Sequence, residues 1–222
     1  MWGEIQFPFK PYASYWGYDP HATKDFKEYI KEKYNFSLIS LNDAWGSNFQ
    51  NWDAVNPPRP PEKDQRGEDF IQWYKESLVK FEDWMLNVTS SYFKRLAVKV
   101  APRGIPEADN VLGIDLDAQI RVAAQYGAAI TYGWIENPLL SADVAEIAHN
   151  YNLTVWAENV VTMPTDFVYI ATNLLEYGYD GWFYIYGEPT VLDLLFIGKV
   201  PTTTYYRFAT TIKALRDGRI PE

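Results

Sequence analysis

The strongest constraint on the fold is a regular alternation of short apolar segments with amphipathic stretches. Four segments are brief, apolar almost throughout and rich in β-branched or aromatic residues, namely 96–100, 128–132, 153–157 and 181–186. Strands covered on both faces have this composition, so the pattern predicts a parallel sheet. Helices are predicted between the strands, at 115–126, 140–150 and 164–177. A β-α-β-α order requires parallel strands joined by right-handed crossovers, and the predicted fold class is therefore α/β.

Further elements are predicted on either side of this alternation. A fifth strand is possible at 2–7, and helices are expected at 23–34, with Thr23 as the N-cap, at 68–93 and at 203–216. The run from 56 to 61 (NPPRPP) is incompatible with helix or inner strand and predicts a stiff extended loop. No composition shift, repeat or low-complexity tail marks an internal boundary, so residues 1–222 are predicted to form one domain.

The predicted helix at 68–93 carries large apolar residues at spacings of three and four. This periodicity indicates one broad apolar face, which we expect to pack into the core rather than hold a cofactor. The residues of this stripe are Phe70, Trp73, Tyr74, Phe81, Trp84, Met85, Val88 and Tyr92.

Composition limits the possible partners. Hydrophobic residues make up 47% and charged residues 22% of the chain, as is typical of a soluble globular protein. No apolar run approaches the roughly 20 residues that cross a bilayer, so no membrane partner is expected. The net charge of −9 argues against nucleic acid, whose binders need a basic face. No signal peptide is visible, which leaves cytoplasmic and secreted locations both open.

The inventory of reactive side chains points to carboxylates. The chain has no cysteine, which excludes disulfides and thiol catalysis, and its two histidines, His21 and His149, supply a metal site or a Ser-His-Asp triad poorly. His149 is expected to complement the dipole at the end of a helix. Metal and cofactor are therefore both predicted to be absent. Aromatic residues make up 17% of the chain, with 9 Trp, and this surplus suggests a cleft that holds a sugar ring.

Four glutamates lie near the predicted ends of strands: Glu4, Glu136, Glu158 and Glu188. In a parallel βα fold the functional groups gather at that edge. Cleavage of a glycosidic bond requires two carboxyl groups, one to protonate the leaving oxygen and one to attack the anomeric carbon or activate water. Glu158 directly follows an apolar strand, an anchored position that suits a nucleophile. The alternative is a glutamate that caps a helix or forms an ion pair.

The first 90 or so residues resemble a known family. After Glu4 the chain carries a helix, a Lys-Tyr pair, a Leu-Asn-x-Ala-Trp-Gly segment, an aromatic run, a proline-rich turn and a long helix. These are Lys33-Tyr34, residues 41–46, Asn51-Trp52, Pro57-Pro58 and residues 69–84. This order resembles family 42 glycoside hydrolases, the β-galactosidase-type members of clan A, from the end of the fourth barrel strand onward.

The resemblance implies a (β/α)₈ barrel of the TIM type, of which this chain supplies strands four to eight. Glu4 would be the acid/base at the end of strand four, and Glu158 the nucleophile at the end of strand seven. A retaining mechanism on β-linked sugars such as β-galactosides follows, with the two carboxyl groups about 5–5.5 Å apart. Tyr132 would lie near the nucleophile, and Trp182 and Tyr184 on strand eight would shape the sugar-binding floor.

Three further tryptophans are candidates for rings that stack on sugar: Trp16, Trp45 and Trp134. Each lies near a predicted βα loop. Burial in the core is an equally open alternative for each of them.

Two departures from the family pattern leave alternatives open. Gly3 replaces the asparagine that in the family hydrogen-bonds the sugar 2-hydroxyl, and strands one to three are not seen. Because five strands of eight do not close a barrel, we expect a truncated chain, a split enzyme whose N-terminal half-barrel is another polypeptide, or a remnant reused for binding, alone or as a homo-oligomer. A catalytically silent carbohydrate-binding or scaffolding protein is thus the second hypothesis, and an inverting or transglycosylating enzyme the third.

Overall fold

A computed structural model of the chain describes residues 15–59, 63–100, 110–133, 138–159 and 175–184, with short stretches between 196 and 217. The chain divides into two compact units. Unit 1 comprises Met1–Trp84 with Arg103–Asp115, and unit 2 comprises Met85–Pro102 with Leu116–Glu222. That the two form one domain stays a prediction. In the described part, no helix combines the length and the apolar character that crossing a membrane requires.

The described elements alternate as predicted. They are α1 (Pro20–Lys33), α2 (Leu38–Trp45), a 3₁₀ turn (Trp52–Ala54), α3 (Gln65–Ser90), β1 (Ala97–Val100), α4 (Leu116–Gln125), β2 (Ala129–Tyr132), α5 (Pro138–Asn150), β3 (Val155–Asn159), β4 (Gly181–Tyr184), β5 (Phe196–Ile197) and β6 (Val200–Pro201). Strands β1 to β4 form a parallel sheet in that order, and β5 pairs with β6 antiparallel. All four predicted strands are confirmed, as are the helices predicted at 115–126 and 140–150. The predicted strand at 2–7 and most of the helices predicted at 164–177 and 203–216 lie outside the described residues.

Two helices begin earlier than predicted because aspartates cap them. Asp19, not Thr23, is the N-cap of α1: its Oδ1 accepts hydrogen bonds from the backbone N–H groups of His21 at 2.9 Å and Ala22 at 3.2 Å. Proline follows at the first helical position, where its fixed φ favours the helix. In the same way Asp64 Oδ1 accepts from the Gly67 N–H at 2.8 Å, so α3 starts at Gln65 and ends at Ser90.

The aromatic stripe of α3 is buried over only half of its length. Phe70 is fully buried and Trp73 and Tyr74 nearly so, whereas Phe81 is 48% and Trp84 57% exposed. The other exposed members are Met85, Val88 and Tyr92. The prediction that the whole stripe belongs to the core is therefore wrong for its second half. At 1.5 Å per residue α3 is about 39 Å long and α1 only about 21 Å, so α1 can cover only part of it.

The Leu-Asn-x-Ala-Trp-Gly segment is a structural device of unit 1. Leu41 is fully buried in the core beside Phe26 and Phe70. Asn42 holds the following loop, because its Oδ1 accepts from the Phe49 N–H at 2.8 Å and its Nδ2 donates to the Phe49 carbonyl at 2.9 Å. Gly46 ends α2 with φ of 60°, in the left-handed region that glycine adopts at least cost.

Asp69 joins α1, α2 and α3. Its carboxylate is fully buried and accepts hydrogen bonds from Tyr34 Oη and Trp45 Nε1, both at 2.7 Å, on Oδ2. Lys33 Nζ and Gln65 Nε2 donate to Oδ1, each at 2.9 Å. The Lys-Tyr pair and the tryptophan that carry the family resemblance thus converge on one buried charge, and their role here is to hold α1 and α2 on α3.

One face of strands β1 to β3 is covered. Strand pairing aligns Val98, Ile130 and Val155 in one row and Val100, Tyr132 and Ala157 in the next. All six are buried, and helices α4 and α5 lie against these strands. The core of unit 2 therefore sits between this face of the sheet and the two helices.

The end of α5 is tied to the beginning of β3. His149, in the last turn of α5 as predicted, has its Nε2 3.0 Å from Asp180 Oδ2. The same oxygen accepts from the Val155 N–H at 2.8 Å, and the Asp180 N–H donates to the Val155 carbonyl at 3.0 Å. This aspartate thereby sets where β3 and β4 start relative to the helix.

Candidate active site

The backbone of Glu158 stands near the carboxyl end of β3, and its role as nucleophile stays a prediction. It is the second-last residue of β3, an inner strand, and pairs with Phe183 of β4. Three of the predicted site residues, Tyr132, Glu158 and Tyr184, stand at or next to the carboxyl ends of β2, β3 and β4. In parallel α/β folds, ligands bind at this edge.

The strand register, however, places two of these residues, Tyr132 and Glu158, on opposite faces of the sheet. Tyr132 pairs with Ala157, and neighbouring positions along a strand belong to opposite faces of a sheet. The Tyr132 side chain is fully buried on the face of the sheet that the helices cover. Position 158 follows Ala157 along β3 and therefore belongs to the opposite face. The predicted place of Tyr132 beside the nucleophile is therefore corrected: it is a core residue. Trp182 pairs with Ala157 and Tyr184 with Asn159, and their roles in sugar binding stay predictions.

Trp156 is a residue that the sequence reasoning missed. It lies two positions before Glu158, on the same face of β3, and is 40% exposed although Val155 and Ala157 on either side are fully buried. It pairs with Thr131 of β2 and with Gly181 of β4. The spacing of two between Trp156 and Glu158 in the sequence places both positions on one face of the strand.

The remaining predicted site residues are placed as follows. Glu4 and Trp134 lie outside the described residues, as do Glu136 and Glu188. Trp16 is 57% exposed, and its backbone N–H lies 3.5 Å from Tyr74 Oη in unit 1. Its sugar stacking stays a prediction.

The Trp45 side chain makes its contacts within unit 1. It ends α2 and is half-buried, and its indole N–H is bound to Asp69. Its ring stacks near Phe26 at 6.5 Å between centroids, and the Arg66 guanidinium lies 5.4 Å from the ring centroid. These contacts give Trp45 a structural role.

Burial raises the pKa of several tyrosines in the described part. Desolvation, with the negative charge of neighbouring Glu76, raises the pKa of the Tyr29 phenol far above its usual value. Desolvation likewise raises the pKa of Tyr179. No group of three or more histidine, aspartate or glutamate side chains in this part of the chain is placed to hold a metal ion.

Residues 12–119 match the model of glycoside hydrolase family 42, described as beta-galactosidase. The match includes the Leu41–Gly46 segment and α3, and it confirms the predicted resemblance over that part of the chain. No curated protein shows significant similarity to the sequence.

Among solved structures, the catalytic domain of beta-amylase from Paenibacillus polymyxa matches with a TM-score of 0.76 and 18% sequence identity. The match covers 96% of this chain and 58% of that chain, so this chain spans little more than half the length of its structural neighbour. The likeness shows the fold: an α/β architecture with a parallel sheet, shared with part of a (β/α)₈ barrel.

Proposed function

We propose that the chain forms strands four to eight of a retaining β-glycosidase barrel that acts on β-linked sugars such as β-galactosides. Glu158 is the nucleophile and Glu4 the acid/base. The observation that carries the proposal is the position of Glu158 at the carboxyl end of an inner parallel strand, in a sheet whose fold is shared with a barrel hydrolase. The family match over residues 12–119 supports the class of reaction.

The mechanism requires two steps. In the first, the Glu158 carboxylate attacks the anomeric carbon while Glu4 protonates the departing glycosidic oxygen. In the second, the Glu4 carboxylate takes a proton from water, and that water displaces Glu158 with the original anomeric configuration restored. Both steps need a closed site, and we propose that further βα units, on the same or another polypeptide, complete the barrel.

Turnover of p-nitrophenyl β-D-galactoside by wild-type protein and by Glu158→Gln tests the nucleophile. We expect Glu158→Gln to lower kcat by roughly 10⁴-fold or more, because the covalent intermediate no longer forms. Glu4→Gln should lower it by about 10²–10⁴-fold, as expected for a lost general acid. The matched control is Glu146→Gln, a glutamate exposed on α5, which should keep full activity.

The stereochemistry tests the retaining mechanism. Proton NMR of the fresh reaction should show the β-anomer of the sugar before mutarotation. The α-anomer as first product would instead make the enzyme inverting, and full activity of Glu158→Gln would show that the nucleophile has been assigned wrongly.

Gly3 favours a second candidate, a catalytically silent sugar-binding protein. In the family an asparagine at this position contacts the sugar 2-hydroxyl, and this contact strengthens in the transition state. A protein that does not catalyse the reaction would not need this contact. The signature of this candidate is sugar binding that survives the double change Glu4→Gln with Glu158→Gln, in a protein without turnover.

A further inference from the structure

The second half of α3 carries an apolar stripe that stays exposed in the described part of the chain. We call Phe81, Trp84, Met85 and Val88 the α3 stripe; their spacings of three, one and three place them on one side of the helix. Each of the four is between 42% and 57% exposed. The Phe81 and Trp84 rings lie 5.7 Å apart between centroids, so the two rings form one aromatic surface.

The α3 stripe is not the side of the helix that is buried in this chain. Leu86 is only 6% exposed, and at 100° per residue it lies about 140° from Phe81 around the helix axis. The second half of α3 thus has one buried side and a second apolar side that is exposed. A helix whose second side faces only water carries polar residues there, and adjoining exposed apolar residues mark an interaction surface.

The area of the α3 stripe limits what can cover it. Four half-exposed side chains offer on the order of a few hundred Å². A stable complex of two separately folded copies needs about 800 Å² from each partner, so a second copy docked on the stripe alone would be held weakly. A helix of the same barrel can pack on a surface of this size, because the hydrogen bonds of the closed sheet also hold the two parts together.

We propose that the α3 stripe is the interface on which a helix of the preceding βα unit packs when the barrel is completed. The inference rests on the proposed function, in which this chain supplies strands four to eight. The match covers 58% of the beta-amylase domain, so a barrel of that kind holds further units. Because α3 directly precedes β1, the first strand of the described sheet, α3 is the helix nearest to those units in barrel order. The occupant is an amphipathic helix whose apolar residues, at spacings of three and four, face the Phe81 and Trp84 rings.

Hydroxyl-radical footprinting with mass spectrometry tests this interface, since radicals oxidise exposed aromatic and methionine side chains. The 222-residue chain produced alone is compared with the galactosidase purified from the source. We expect oxidation of Phe81, Trp84 and Met85 to be about fivefold lower in the purified enzyme, because these side chains become buried there. The matched control is Tyr151, which is 41% exposed and follows α5, two units further along the barrel. Its oxidation should be equal in both samples.

A charge placed in the interface gives a second measurement. Trp84→Glu should lower the midpoint of thermal unfolding of the complete enzyme by about 5 °C or more, because the charge would be buried without a partner. The same change in the 222-residue chain alone should shift the midpoint by less than about 2 °C, since Trp84 is exposed there. Asn87→Glu, at an exposed position on another side of α3, is the matched control and should leave the midpoint of the complete enzyme unchanged.

The outcomes separate this inference from the proposed function. Equal oxidation of the α3 stripe in both samples would overturn the interface, while galactosidase activity in the purified species would still uphold the proposed function. A stripe protected in a larger species that does not turn over p-nitrophenyl β-D-galactoside would uphold the interface and reject the glycosidase. Protection in a homodimer of this chain, detected by sedimentation, would overturn the interface with a βα unit, because the occupant would be a second copy.

Discussion

Asp69 shows how a single residue of the segment that resembles the family stabilises the fold. Desolvation by itself raises the pKa of this buried carboxyl, but hydrogen bonds from Tyr34, Trp45, Lys33 and Gln65 outweigh it and hold the pKa below its usual range. A carboxyl whose pKa is lower in the folded than in the unfolded chain stabilises the fold above the unfolded pKa of about 3.9. That stabilisation is lost as the pH falls through the lower, folded value.

Replacing Asp69 by asparagine should therefore destabilise unit 1 in a pH-dependent way. We expect the free energy of unfolding at pH 7 to fall by about 1.5–3 kcal/mol, because the donors Tyr34 and Trp45 lose a charged acceptor. The difference from wild type should begin to shrink below about pH 4, where Asp69 of the unfolded chain takes up a proton, and should be lost as the pH falls through the lower pKa of the folded protein. Urea unfolding at pH 7 and pH 3 measures both effects. Glu68→Gln, an exposed neighbour on the same helix, should cost less than about 1 kcal/mol, and an equal cost would contradict the network's role.

At the scale of the element, α3 shows that a hydrophobic pattern does not by itself determine which residues are buried. At about 100° per residue, Phe70, Phe81 and Val88 fall on one side of the helix. The first contacts the rings of Tyr18, Phe26 and Trp73, whereas Phe81 has the ring of Trp84 beside it and remains half exposed. The same residue type on the same face thus has two environments.

This contrast predicts two different costs for one substitution. Phe70→Ala should lower the free energy of unfolding by about 3–5 kcal/mol, because it leaves a cavity in a packed aromatic cluster. Phe81→Ala should cost less than about 1 kcal/mol, as is usual for exposed positions. Chemical denaturation of both variants makes the comparison. A cost for Phe81→Ala as large as that for Phe70→Ala would mean that this half of α3 is covered in solution.

At the scale of the molecule, the parallel sheet has four described strands, while the match covers only 58% of the beta-amylase domain. If the proposed function is correct, the active species contains more βα units than this sequence supplies. Galactosidase activity purified from the source should then elute above the 25.7 kDa of this chain, with the added units identified by mass spectrometry. Activity in a monomer of 25.7 kDa would contradict this prediction, and a homo-oligomer without added units would favour the binding protein.

Much of the fold could be predicted because it follows from local patterns. The strands at 97–100 and 129–132 are apolar runs, and α4 and α5 have helical periodicity, so their existence and type could be predicted without knowledge of the tertiary structure. Which residue caps a helix is harder to predict from the sequence. Asp19 and Thr23 are both competent N-caps, and the one followed by proline forms the cap.

The sequence by itself determined the βα alternation, the family resemblance and the position of Glu158 at a strand end, because each depends on residues close together in the chain. Only the tertiary structure decided that Tyr132 belongs to the core, that Trp45 is bound to Asp69 and that the second half of the aromatic stripe of α3 is exposed. Periodicity specifies which residues share a face, but what covers that face depends on pairing between segments distant in sequence. That pairing sets the strand register and which part of each helix is covered, and it thereby decides which rings lie in the core.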